Sequence, residues 1–172
     1  PLTEAQLIEA SIPEIDNSIS VAKRWRKGAN MAVMGVDWSG FGKDQTSTTV
    51  ASLVISTPGS DDLKTIYTRR LPGGLSATDE AKELLTLFNE FKCDYFAHDY
   101  SGAGTIREAV MVQSGMPASK IIPFDIVSAP VRPNIIEYYN PPSGGRSCYS
   151  IDKTRALMVL YQSIKAGKLR LP

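Results

Sequence analysis

Cysteine and histidine are nearly missing from this chain: Cys93, Cys148 and His98 are the whole supply. With no Cys-x-x-Cys pair and a single imidazole, a Cys/His zinc site of any usual spacing is excluded, and so is a disulfide framework. That cysteine usage fits a reducing, cytosolic compartment. No apolar run approaches the roughly 20 residues that a membrane-spanning helix needs. The opening PLTEAQLIEA lacks the basic-then-apolar pattern of a secretory signal. No Gly-x-x-x-x-Gly-Lys-Ser/Thr occurs, which excludes a Walker-type ATPase. An excess of one charge is missing too: 19 basic against 18 acidic residues leave a net +1. There is no chain-wide basic field, so any nucleic-acid surface must come from local clustering.

What remains is ordinary globular composition: 172 residues, 42% hydrophobic and 22% charged, enough for one domain with a core. Residues 3–10 read as a short helix, and Lys23, Arg24, Arg26 and Lys27 gather around Trp25 before Gly28 breaks the chain. We take residues 1–29 as a linker or leading arm from a preceding domain, and 30–172 as the folded domain. Residues 31–37 (MAVMGVD), 46–56 (TSTTVASLVIS) and 64–70 (KTIYTRR) read as three strands of an antiparallel meander. Residues 77–91 carry Leu84, Leu87, Phe88 and Phe91 at helical spacing, with Thr78 as the expected N-cap. A strand at 95–99, a helix at 105–113, a strand at 121–124 and a helix at 152–166 ended by Gly167 follow. Residues 129–148, rich in Pro and Gly, are expected to form a mobile excursion. The order β-β-β-α-β-α-β-α predicts an α/β, RNase H-like (RuvC/integrase-like) mixed sheet with a three-strand meander and flanking helices.

Asp37 (MGVDWSG) and Asp99 (AHDYSG) close two expected strands. Sites in open α/β sheets form beyond the carboxyl ends of strands, and in this order the two strands are neighbours. Either aspartate alone is adequately explained as a turn residue. As a pair in matched contexts they point to a cation, because two close carboxylates repel unless one neutralises them. Hard oxygen donors select Mg²⁺ or Mn²⁺, and two such ions suit phosphodiester hydrolysis. Two readings stand for Asp44: a hairpin returning it toward the metal as an additional acid, or a solvated turn residue. His98 precedes Asp99, so strand alternation turns it to the opposite face, as a core or helix-facing histidine rather than a general base. Gly40-x-Gly42 and Gly102-x-Gly104 are weak signals that turn chemistry alone explains.

Phosphate-backbone contacts are expected from Lys43, Arg69, Arg70, Arg107, Arg132 and Arg146, with solvated surface charge as the ordinary alternative for each. Tyr138 and Tyr139 read as base-stacking or strand-edge residues. A strand, an acid, a Gly-rich turn and a Thr-rich strand also open actin-like and sugar-kinase-type folds. An ATP-binding phosphotransferase fragment is therefore one alternative, and a non-catalytic docking module another.

Three segments in order, MGVDWSGFGKDQTSTTVASLV, AHDYSGAG and YSIDKTRALMVLYQSIKAGKLRLP, resemble the C-terminal nuclease domain of bacteriophage DNA-packaging terminase large subunits. The resemblance covers roughly residues 31–172. It implies a two-metal endonuclease that cuts concatemeric double-stranded DNA, with an ATPase motor domain, a small terminase subunit and a portal as partners. It further implies action in the host-cell cytoplasm and absence from the mature virion. The family uses a third acid downstream of the Lys-Thr-Arg helix, which would follow Pro172, so the domain is expected to be truncated at its C-terminus. Asp152, at the start of that helix, reads as an N-cap.

Overall fold

The computed structural model describes residues 2–38, 48–128, 133–140 and 145–172. Two helices lead, α1 (Glu4–Ala10) and α2 (Ile19–Lys27), followed by strands β1 (Met31–Asp37), β2 (Val50–Ser56) and β3 (Leu63–Arg70). Next come α3 (Ala77–Glu90), β4 (Tyr95–Asp99), α4 (Ala103–Gln113), β5 (Ile121–Val127), β6 (Ile136–Tyr139), β7 (Cys148–Asp152), α5 (Lys153–Lys165) and β8 (Leu169–Arg170). All eight described strands form one sheet in the order β6-β7-β5-β4-β1-β2-β3-β8. The β1–β2–β3 meander is antiparallel, whereas β4, β5 and β7 add in parallel with β1.

The sheet has one dry face, which the sequence alternation creates. Ala32, Met34 and Val36 on β1, Ala51, Leu53 and Ile55 on β2, and Phe96 and His98 on β4 are all buried. They meet Ala81, Leu84, Leu87 and Phe88 of α3 and Met111 of α4 in a common core. Successive strand side chains point to opposite faces, so Val33, Gly35 and Asp37 belong to the other face. The leading residues are docked here: Ile12, Ile15 and Ala22 join the core, and Arg26 of α2 donates to the Phe91 and Lys92 carbonyls behind α3.

Several sequence expectations need correction. The N-cap of α3 is Ser76, whose hydroxyl accepts from Asp79 N–H, not Thr78, which is already the second residue inside the helix. The expected excursion carries β6 and the start of β7, paired antiparallel from Ile136↔Ile151 to Tyr139↔Cys148; residues 129–132 and 141–144 lie outside the described ones. β8 is a two-residue strand paired to β3. Asp152 does cap α5, accepting from Arg155 N–H at 2.9 Å.

Candidate metal centre

β1 and β4 run side by side from Val33↔Tyr95 to Val36↔His98. One further step in that register sets Asp37 opposite Asp99, on adjacent strands about 4.8 Å apart. Both carboxylates belong to the face away from α3 and α4. Asp37 is exposed and no described residue donates to it. Asp99 is more enclosed: its Oδ1 accepts from Ser101 N–H at 2.9 Å and Ser101 Oγ at 2.6 Å. Its other oxygen has no donor among the described residues.

This donor set fits a hard divalent cation. The side chains offered are carboxylate oxygens, while His98, which would suit a softer ion, is fully buried on the opposite face. Among the described residues no third Cys, His, Asp or Glu completes a cage. Asp44 lies outside the described residues.

Immediately behind the two carboxylates lies a polar network that sequence reading did not find. Trp38 Nε1 donates to His98 Nδ1 at 3.1 Å, and His98 Nε2 lies 3.0 Å from Glu108 Oε2 on α4. Glu108 Oε1 in turn accepts from Arg146 Nε at 2.8 Å. Burial, the largest influence, raises the Glu108 carboxyl. The His98 hydrogen bond and the Arg146 charge more than offset it and hold the group below its ordinary value. Alongside, Arg107 donates to Glu80 at 2.7 Å in a buried pair, and Thr49 Oγ1 donates to the other Glu80 oxygen. The Arg107 guanidinium also lies 5.5 Å from the Trp38 ring centre. Arg107 is therefore core architecture and no phosphate contact. The only sequence signal for this network was the placing of His98 on the helix side; Glu108 sits ten residues away with nothing local to mark it.

The glycines of the 102–104 turn serve geometry. Gly102 has φ +52°, a backbone region that side chains disfavour. A Cβ at Gly104 would lie 1.9 Å from the Asp99 carbonyl oxygen, so the first turn of α4 rests directly on the end of β4.

The expected basic residues separate. Arg69 faces the helices, bonded to Glu83 of α3 at 2.7 Å, and Arg146 is held by Glu108. Arg70 shares the carboxylate face, since Asp37 pairs with Val50 and Val50 with Arg70. On the other side the same row continues through Asp99↔Phe124, Phe124↔Tyr149 and Tyr149↔Tyr138. Tyr138 and Tyr149 form an edge-to-face pair with centroids 5.1 Å apart, and Tyr138 is 65% exposed. Tyr139 alternates to the helix side. Lys43 and Arg132 lie outside the described residues.

Hollows of about 440 Å³, beside Trp25 and Lys64, and about 400 Å³, beside Asp125 and Cys148, contain neither aspartate. No described helix is long and apolar enough to cross a membrane.

No family model and no curated protein sequence matches the chain. Its backbone matches solved structures. The human cytomegalovirus terminase nuclease domain aligns with TM-score 0.58 at 9% identity, over 99% of this chain and 74% of that one. The Mn-soaked form of that domain gives TM-score 0.56 at 10% identity over the same shares. The large terminase nuclease of thermophilic phage G20c aligns at 17% identity and TM-score 0.46, over 82% of this chain and 59% of that one. The chain thus spans 59% of the phage domain and about three-quarters of the viral one. Its fold is the RNase H-like fold of terminase nuclease domains.

Proposed function

We propose that this chain is the nuclease module of a viral DNA-packaging terminase large subunit, an endonuclease that cuts concatemeric double-stranded DNA with Mg²⁺ or Mn²⁺. The carrying observation is the register that sets Asp37 opposite Asp99 at the carboxyl ends of adjacent parallel strands. The fold shared with a nuclease domain studied in a Mn-soaked form supports it.

On this reading Asp37 and the Asp99 oxygen that accepts from no described donor would hold the metal ions. Such ions supply charge against the developing phosphate charge and a water of lowered pKa. Ser101 keeps Asp99 aimed, and Arg70, on the same face, takes a flanking phosphate. In the whole protein an ATPase motor, a small terminase subunit and a portal are the partners, in the host-cell cytoplasm.

Calorimetric titration with Mn²⁺, together with Mn²⁺-dependent plasmid nicking, tests the assignment. Asp37→Asn and Asp99→Asn should each abolish nicking and weaken Mn²⁺ binding, with a melting temperature unchanged or raised because carboxylate repulsion is relieved. Unchanged Mn²⁺ binding in the double variant would remove both residues from the site. ATP binding by a chain that ignores Mn²⁺ and DNA would move the reading to a phosphotransferase.

A further inference from the structure

The backbone ladder between β1 and β4 ends at Val36↔His98. The two carboxylates lie one residue past that last pair, at the open end of the ladder. Yet each is chained to a side chain that crosses to its counterpart on the reverse face: Trp38 follows Asp37, His98 precedes Asp99, and the indole donates to the imidazole at 3.1 Å. Resting on the reading of Asp37 and Asp99 as metal ligands, we propose that Trp38, His98 and Glu108 are positioning residues that set the separation of the two carboxylates from behind the sheet.

Donor and acceptor chemistry fixes the state of this tie. An indole N–H can only donate, so His98 Nδ1 accepts and the ring hydrogen sits on Nε2, where Glu108 Oε2 receives it at 3.0 Å. In that tautomer the 3.0 Å approach of Nδ1 to the Asp99 carbonyl joins two acceptors and is no hydrogen bond. Among the described residues the ring is hydrogen-bonded by Trp38 and Glu108. Water does not compete, since His98 is fully buried and the Glu108 side chain is 12% exposed. Glu108 is itself fixed by Arg146. Trp38 is backed by the Arg107 guanidinium on its face and by Phe96 at 6.1 Å between centroids. The Asp99 backbone cannot retreat, because the first turn of α4 at Gly104 is packed against its carbonyl. The arrangement is the carboxylate-site counterpart of the hydrogen-bonded groups that orient metal ligands elsewhere, whose removal costs roughly 10–100-fold in metal affinity or activity.

The test uses the whole chain and two readouts. Trp38→Phe keeps the ring and loses the donor; it should weaken Mn²⁺ binding by about 10-fold or more and lower kcat for nicking while leaving KM for DNA unchanged. His98→Asn, whose amide oxygen can replace the Nδ1 acceptor, should recover part of the affinity that His98→Leu loses. Loss of fold would lower all of these together and move KM as well. The second readout needs no variant. ¹⁵N NMR of the metal-free chain, which has a single histidine, should show hydrogen on Nε2 and none on Nδ1. A ring with hydrogen on Nδ1 overturns the proposal. So does wild-type Mn²⁺ affinity in both Trp38→Phe and His98→Leu while Asp37→Asn binds none, and that result leaves the nuclease reading standing. A parent chain that binds no Mn²⁺ takes both readings down.

Discussion

At the scale of single residues, the sequence showed the two acids and hid what holds them. Asp37 and Asp99 were legible because each ends an apolar strand before a glycine turn. Gly104 looked like one more turn residue, because its reason is a contact with a strand carbonyl that only the fold creates. Gly104→Ala puts a methyl where the Asp99 carbonyl oxygen already sits. It should cost about 1–3 kcal/mol by overpacking, measured by denaturant titration, and weaken Mn²⁺ binding by displacing Asp99. A variant as stable as the parent would mean that α4 slides freely on β4. The cysteines make a second case. Cys93 is buried and desolvation pushes its thiol up to about 12; Cys148 is buried and raised as well, again chiefly by desolvation. Thiolate is the reactive form, so neither should react with a disulfide reagent at pH 7.5 until denaturant is added. Rapid labelling of the native chain would contradict this burial.

Among elements, the long amphipathic pieces were readable and the short edges were not. β1 and β4 fall where their β-rich runs fall, and α3 and α5 follow their apolar periodicity to within a residue or two. β6 and β8 have four and two residues, too few to show a period, and they exist because β7 and β3 offer unpaired edges. Prolines at 130, 133, 141 and 142 also argued for loop, while Ile136–Tyr139 between them is a run of strand formers. β6 completes, with Tyr138, the row across the carboxylate face: Arg70, Val50, Asp37, Asp99, Phe124, Tyr149 and Tyr138. That row places a cation on one flank of the acids and an aromatic pair on the other. Arg70→Ala should therefore reduce both DNA affinity and its salt dependence, since phosphate contacts release counterions. Tyr138→Ala with Tyr149→Ala should weaken binding by about 1–3 kcal/mol per stacked base with the salt slope kept. Equal salt slopes for the parent and Arg70→Ala in a fluorescence titration would take Arg70 off the DNA path.

Over the whole molecule, the near balance of charge means that pH acts on stability through a few individual groups. Glu108 has a folded-state value held below its ordinary one. Such a group contributes stability that is present above the unfolded carboxylate value and is lost as pH falls through the lower folded value. Cys93 is the opposite case. Its folded value lies above the ordinary 9.0, at about 12, so its contribution is complete below pH 9 and declines as pH rises toward 12. Each group exchanges at most one proton on unfolding, which limits its slope to about 1.4 kcal/mol per pH unit. Denaturant midpoints measured against pH should therefore fall on an acid limb and, separately, on an alkaline limb beginning near 9. Glu108→Gln should flatten the acid limb and leave the alkaline one. Cys93→Ala should do the reverse, at the cost of a small cavity that shifts the whole curve down without changing its acid slope. The two variants read different parts of the molecule, the support behind β1 and β4 and the core beneath α3. If Cys93→Ala kept the full alkaline limb, desolvation of that thiol would not be what limits stability at high pH.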